Sequence, residues 1–200
     1  MLLHKEENSI SDASALRTAA LALTYYNMDD HPEKGPNLIP CNLCNTTETL
    51  TPASGIIKTS IDEIITIVEA NISATVDSHK AYCQYYMGGM IEITENNIQY
   101  TGLSKTEPQI HYDWETGFAP LYEPNHMAMV YIGPDIDSGF EFWEHDEKFD
   151  TPNSLKIEET LTTNDLIIFN HDHAHRMGPS LWGETKTDSG LHLALFMKTS

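Results

Sequence analysis

From residue 81 onward the chain breaks into short apolar segments separated by turn residues, with no helical stretch between them. The segments are "AYCQYYM" (81–87), "MIEITE" (90–95), "QIHYDW" (109–114), "MAMVYIG" (127–133), "FEFWEH" (140–145), "SLKIEET" (154–160), "DLIIFN" (165–170) and "LHLALFMK" (191–198). Each is rich in β-branched and aromatic residues and has strand length. Gly88-Gly89, Gly133-Pro134, Ser138-Gly139 and Thr151-Pro152-Asn153 punctuate them, and such residues break regular structure. Eight short strands without intervening helices imply an antiparallel sandwich, jelly roll or barrel.

The first part of the chain reads differently. "SDASALRTAALALTYY" (11–26) has Leu16, Ala19, Ala20, Leu23 and Tyr26 at helical spacing, with Ser11 or Asp12 as the cap. "SIDEIITIVEANISATV" (60–76) sets Ile61, Ile64, Ile65, Val68 and Ile72 on one face, with Ser60 and Glu63 forming a capping box. A turn-rich connection, "NMDDHPEKGPNLIPCN" (27–42), separates the two helices. The expected class is α+β, mainly β. One domain over 1–200 is expected, with a helical part at about 9–80 packed on a β core at about 81–200.

Charge narrows the partners. Eleven Lys and Arg face 30 Asp and Glu, a formal net charge of -19. Such a surface repels phosphate backbones and anionic lipid, so neither nucleic acid nor a membrane is an expected partner. No stretch reaches the ~18 apolar residues of a membrane helix, and "MLLHKEENSIS" at the start lacks a signal-peptide core. A cytoplasmic location is the expectation. Cys41 and Cys44 have CxxC spacing, but Cys83 is the only other cysteine, which excludes a four-cysteine zinc site and leaves loop thiols.

The chemistry-bearing residues are histidines. "FNHDHAHRMGP" (169–179) holds His171, His173 and His175. On a regular strand, alternate residues share a face about 6.6–6.8 Å apart. Two could share one zinc ion, three could do so only if the strand bends, and Asp172 or His111 would have to complete the site. In "QIHYDW", His111 and Asp113 are also two apart and face the same way. An imidazole and a carboxylate converging from one strand face can hold one edge of a metal, and a third ligand from another strand would complete a 2-His-1-carboxylate iron site. Trp114 follows Asp113 directly and is the candidate cavity lip. Tyr131, Phe140, Phe142, Trp143 and Trp182 read first as core.

In this ordered set of segments the chain resembles the Fe(II)/2-oxoglutarate-dependent dioxygenases, and within them a prolyl-hydroxylase-like branch of bacterial and phage proteins. "LRTAALALTYY" is similar to the branch's early helix and "QIHYDW" to its first metal strand. "HMAMVYIGPDIDSGFEFWEH" resembles its strand–turn–aromatic-strand stretch, "NDLIIFNHDHAHRMGPSLWG" its distal-histidine segment and "GLHLALFMK" its last strand. The resemblance implies a double-stranded β-helix (jelly-roll) core. It implies Fe(II) held by His111, Asp113 and His175, with 2-oxoglutarate and dioxygen as cosubstrates. It also implies hydroxylation of a C–H bond in a small molecule, amino acid or peptide. The "HRMGP" turn matches the one that follows the family's distal histidine, which selects His175 and leaves His171 and His173 at the rim.

The chain departs from the family where the far carboxylate of 2-oxoglutarate is usually met. The last strand has Leu191 and His192 in place of an arginine, Cys83-Gln84 stands where an aromatic-Gln pair is common, and Ser138-Gly139-Phe140 replaces a Gly-Gly-Thr turn. Only two arginines exist, Arg17 and Arg176. His192 is therefore the expected cosubstrate anchor, with Arg176 next. An anchor with an ordinary histidine pKa would weaken 2-oxoglutarate binding between roughly pH 6.5 and 8.5. Two other readings stay open: a non-catalytic metal-binding jelly-roll module, and a zinc hydrolase built on His171, His173 and His175.

Overall fold

The computed structural model describes residues 2–27, 44–86, 90–95, 98–103, 124–134, 140–144, 154–170, 175–177 and 186–200. Its helices are α1 (Ala13–Leu21) and α2 (Gly55–Ile72). Its strands are β1 (Leu2–Glu6), β2 (Tyr26–Asn27), β3 (Cys44–Thr46), β4 (Val76–Tyr86), β5 (Met90–Glu95), β6 (Ile98–Leu103), β7 (His126–Tyr131), β8 (Phe140–Glu144), β9 (Ser154–Glu159), β10 (Leu166–Asn170), β11 (His175–Met177) and β12 (His192–Thr199). The class is α+β and mainly β, as expected.

Helix α1 starts where the Asp12 carboxylate accepts from the Ala15 amide at 2.9 Å, satisfying a donor that a helix start leaves open. It stops at Leu21, short of Tyr26, which instead pairs as β2 against β3. Helix α2 corrects the expected capping box. It begins at Gly55 after an extended Ser54, and Ser60 is buried inside it. Ile56 and Ile57 pack on the core, so burying them carries the helix back beyond Ser60. Glu63 accepts from the Ser11 amide at 3.0 Å, linking α2 to the start of α1. Strand β4 begins at Val76, inside the stretch expected to be helical.

The strands form a seven-stranded sheet in the order β1-β10-β7-β12-β4-β3-β2, a three-stranded sheet β11-β8-β9 and a hairpin β5-β6. Every pairing is antiparallel. Strand β1 is not among the expected strands. Its burial does not alternate, and its partner β10 lies near the far end of the chain, so local pattern carries no mark of it.

Side-chain alternation divides the large sheet into two faces. Ala81, Cys83, Val130, Leu193 and Leu195 pack with Leu16, Ile61, Ile64 and Val68 of the two helices. Their neighbours Tyr82, Met129, Tyr131, Ala194 and Phe196 pack with Phe140 and Phe142 of the small sheet. The result is three layers: helices, large sheet, small sheet. Among the described residues no helix is long and apolar enough to cross a membrane.

Candidate functional site

Two buried histidines look into the layer between the sheets. His175 opens β11 and pairs with Phe142 of β8. Its ring stacks on Phe140 at 5.3 Å with planes 21° apart and meets Phe169 edge-on at 5.0 Å. It is 3% exposed. Phe140, Phe142 and Phe169 also pack on one another at 5.2–5.3 Å, so the imidazole is held by an aromatic wall. Tilted and edge-on aromatic contacts of this kind fix ring direction as well as burying area.

His192 opens β12 on the large sheet. It is in register with Gln84 of β4 on one side and Tyr131 of β7 on the other. Leu191 and Leu193 face the helices, so His192 faces the small sheet. Its Nε2 lies 3.3 Å from Gln84 Oε1 and its Nδ1 lies 3.3 Å from the Gly190 carbonyl. Burial pushes its pKa down to about 4, with the Gly190 carbonyl opposing. The ring is therefore neutral across the physiological range. This corrects the pH expectation: an anchor at His192 acts by hydrogen bonding, and its affinity has no reason to change between roughly pH 6.5 and 8.5.

Tyr131 turns its phenol back over Gly133 and donates to the Pro134 carbonyl. A Cβ at Gly133 would stand 2.6 Å from Tyr131 Cζ, so only glycine permits this close approach. Arg176 follows His175 on β11, and its position is in register with Glu141, on the opposite face of the strand from His175.

His111 and Asp113 lie outside the described residues, as do His171, His173, Trp114, Trp182 and Cys41. Among the described residues no group of three His, Cys, Asp or Glu gathers to hold a metal. His175 fits one ligand position: a buried imidazole, oriented by packing, is a good donor to a divalent first-row metal. Cys83 is a buried free thiol whose pKa burial pushes up to about 12, so it is unreactive.

Sequence reasoning missed Gln84 as part of this arrangement and gave Arg17 no structural role. Arg17 in fact donates to the carbonyls of Ile132 and Thr187, which ties α1 to the ends of the central strands. No local signal marks either role; both depend on which strands become neighbours.

No protein-family model matches the sequence, and neither does any curated protein. Solved structures do match. HygX from Streptomyces hygroscopicus, solved with nickel and 2-oxoglutarate bound, superposes with a TM-score of 0.55 at 15% identity, over 96% of this chain and 80% of that one. A Pseudomonas putida prolyl-4-hydroxylase gives a TM-score of 0.50 at 10% identity, over 98% of this chain and 91% of that one. The chain shares the fold of these two proteins. In this fold, His175 on the small sheet and His192 on the large sheet border one inter-sheet layer.

Proposed function

We propose that the chain is a non-heme Fe(II)- and 2-oxoglutarate-dependent oxygenase that hydroxylates a C–H bond of a small-molecule, amino-acid or peptide substrate. The observation that carries this reading is the buried, aromatically clamped His175, facing the space between the sheets of an oxygenase fold. The order in which the chain visits the two sheets supports a double-stranded β-helix. From β7 it passes to the small sheet for β8 and β9, to the large sheet for β10, back for β11, and returns for β12. The segment with His111 and Asp113 precedes β7. Among the described residues β11 ends the small sheet. On this reading those two side chains join His175 to complete the metal-binding face.

On this reading His111, Asp113 and His175 hold Fe(II). Bound iron supplies the coupling of 2-oxoglutarate oxidation by dioxygen, to succinate and carbon dioxide, with transfer of the other oxygen atom to the substrate. The chain's own residues do the rest. Phe140, Phe142 and Phe169 exclude water and hold the His175 ring, and His192, acting through the Gln84 side chain beside it, meets the far end of the cosubstrate, with Arg176 as the alternative. A cytoplasmic location belongs to the same proposal.

Metal content of single alanine variants tests it. His111→Ala, Asp113→Ala and His175→Ala each lose stoichiometric iron, while His171→Ala and His173→Ala keep it. Equal loss at His173 and His175 with His111 dispensable supports the zinc-hydrolase reading instead. The non-catalytic reading draws support from His192 standing where the family has an arginine. It requires that iron bind, yet no substrate screen release succinate above the uncoupled level.

A further inference from the structure

A row of polar side chains crosses the inner face of the large sheet. Thr46, Gln84, His192 and Tyr131 are successive cross-strand neighbours on β3, β4, β12 and β7. All four are buried. None is charged at neutral pH, since the depressed pKa of His192 keeps its ring neutral. Tyr131 donates to Pro134, and Gln84 Oε1 faces His192 Nε2. The Gln84 amide nitrogen, Nε2, has no hydrogen-bond partner among the described residues, although Gln84 is 97% buried, being 3% exposed. An amide donor buried without an acceptor is costly, and a retained one calls for an explanation. Strand alternation turns the Gln84 side chain towards the inter-sheet layer, the layer that His175 also borders.

We propose that Gln84, oriented by His192, receives the oxygen at the far end of a bound 2-oxo acid, and that this neutral subsite accepts a carboxamide there as readily as a carboxylate. The inference rests on the proposed function for the presence of a 2-oxo acid between the sheets, and goes beyond it in what the far end is. Guanidinium or ammonium groups reward a second carboxylate through charge, whereas an amide and a neutral imidazole offer only dipoles. Two of the chain's cations are engaged elsewhere. Arg17 donates to the Ile132 and Thr187 carbonyls, and Lys186 donates to the Leu21 and Leu23 carbonyls at the end of α1. Moving a carboxylate out of water into an uncharged subsite forfeits hydration that dipoles only partly replace. A neutral carboxamide oxygen forfeits less and accepts the same N–H bonds.

Calorimetric titration of the Ni(II)-loaded chain with 2-oxoglutarate, 2-oxoglutaramate and 2-oxopentanoate tests this. The last keeps the 2-oxo acid but has no oxygen at the far end. With concentrations referred to the open-chain ketone, because 2-oxoglutaramate is mostly closed to its lactam in water, the first two should bind within about threefold of each other, and 2-oxopentanoate about tenfold more weakly. Gln84→Leu should bring all three to the level of 2-oxopentanoate. The near-isosteric Gln84→Glu should favour 2-oxoglutaramate over 2-oxoglutarate, because a carboxylate repels a carboxylate and accepts from an amide. A wild-type preference for 2-oxoglutarate over the open-chain amide of more than about thirtyfold would mean that a cation reads the far end, and would overturn the inference alone. So would unchanged binding in a Gln84→Leu chain with a cooperative thermal transition. Retained nickel with no binding of any of the three would remove both this inference and the 2-oxoglutarate part of the proposed function.

Discussion

The two faces of the large sheet are made by the same strands, one residue apart, and have little else in common. The helix side is filled by Ala81, Cys83, Val130, Leu166, Ile168, Leu193 and Leu195. These side chains need only volume and a dry neighbour, so many aliphatic combinations would serve. The inner side has Tyr82, Tyr131, Phe169 and Phe196 against Phe140 and Phe142, with Gln84 and His192 among them and His175 across the layer. Aromatic rings and buried polar atoms have direction, so this side specifies orientation as well as burial. The lesson is a division of labour: the helices hold the sheet, and the inner face presents groups to a ligand. A one-residue slip of any strand would exchange the two roles.

The contrast is broken most forcefully by emptying each layer in turn. Leu195→Ala on the helix side should cost about 4 kcal/mol of unfolding free energy. It should leave metal and cosubstrate affinity per folded molecule unchanged. Phe140→Ala should cost a similar ~4 kcal/mol, and it should also weaken metal binding, because it removes the ring stacked on His175. Denaturant unfolding alongside metal titration distinguishes them. If both variants, or neither, lose metal affinity, the division between the faces fails.

Acid sharpens the comparison. Unfolded, His192 binds a proton near its ordinary pKa of about 6.5; folded, it does so only near 4. Between those values the unfolded chain carries more protons, so stability rises with pH. The contribution is complete above pH 6.5, declines as pH falls towards 4, and is flat below. It amounts to about 3 kcal/mol. His79 on β4 is also pushed down by burial, but Asp62 of α2 opposes the shift, so its share is smaller. Unfolding free energies at pH 7 and pH 4 should differ less in His192→Phe than in the parent chain. Equal differences would place the acid sensitivity elsewhere.

A smaller effect is expected where the N-terminal segment is stitched to the turn before β10. Asn164 sits at φ 76° and exchanges hydrogen bonds with the Ile10 backbone at 2.9 and 3.0 Å. Asn164→Ala should cost about 2 kcal/mol, from lost bonds and a left-handed backbone. Asn164→Gly should recover only the backbone part. The smallest expected effect lies on the helix side. Asp12→Ala removes the α1 cap and should cost about 1 kcal/mol, with no change in ligand binding.

Much of the β part was legible. "MIEITE", "MAMVYIG", "FEFWEH", "SLKIEET", "DLIIFN" and "LHLALFMK" correspond to β5, β7, β8, β9, β10 and β12, because strand-forming side chains bounded by turn residues carry their own signature. The start of α2 was misread because Ser60 and Glu63 satisfy a capping pattern that the burial of Ile56 and Ile57 overrides. Strand β1 was invisible because its pairing is non-local. In the candidate site, His175 stood out through its neighbours in sequence, and His192 through its place in the last strand. Gln84 stood out only as a departure from the family pattern, with nothing to say what it faced.

Sequence alone thus determined that the latter part of the chain forms short antiparallel strands, that two helices precede them, and that His175 and His192 were the described residues to watch. Those conclusions rest on periodicity and turn chemistry, which act over a few residues. Tertiary structure decided which face each strand turns inward, how Gln84, His192 and Tyr131 from three separate strands come to lie in one row, and how far burial lowers the pKa of His192. Register and desolvation are properties of the assembled layers, set by residues distant in the chain, and no local window contains them.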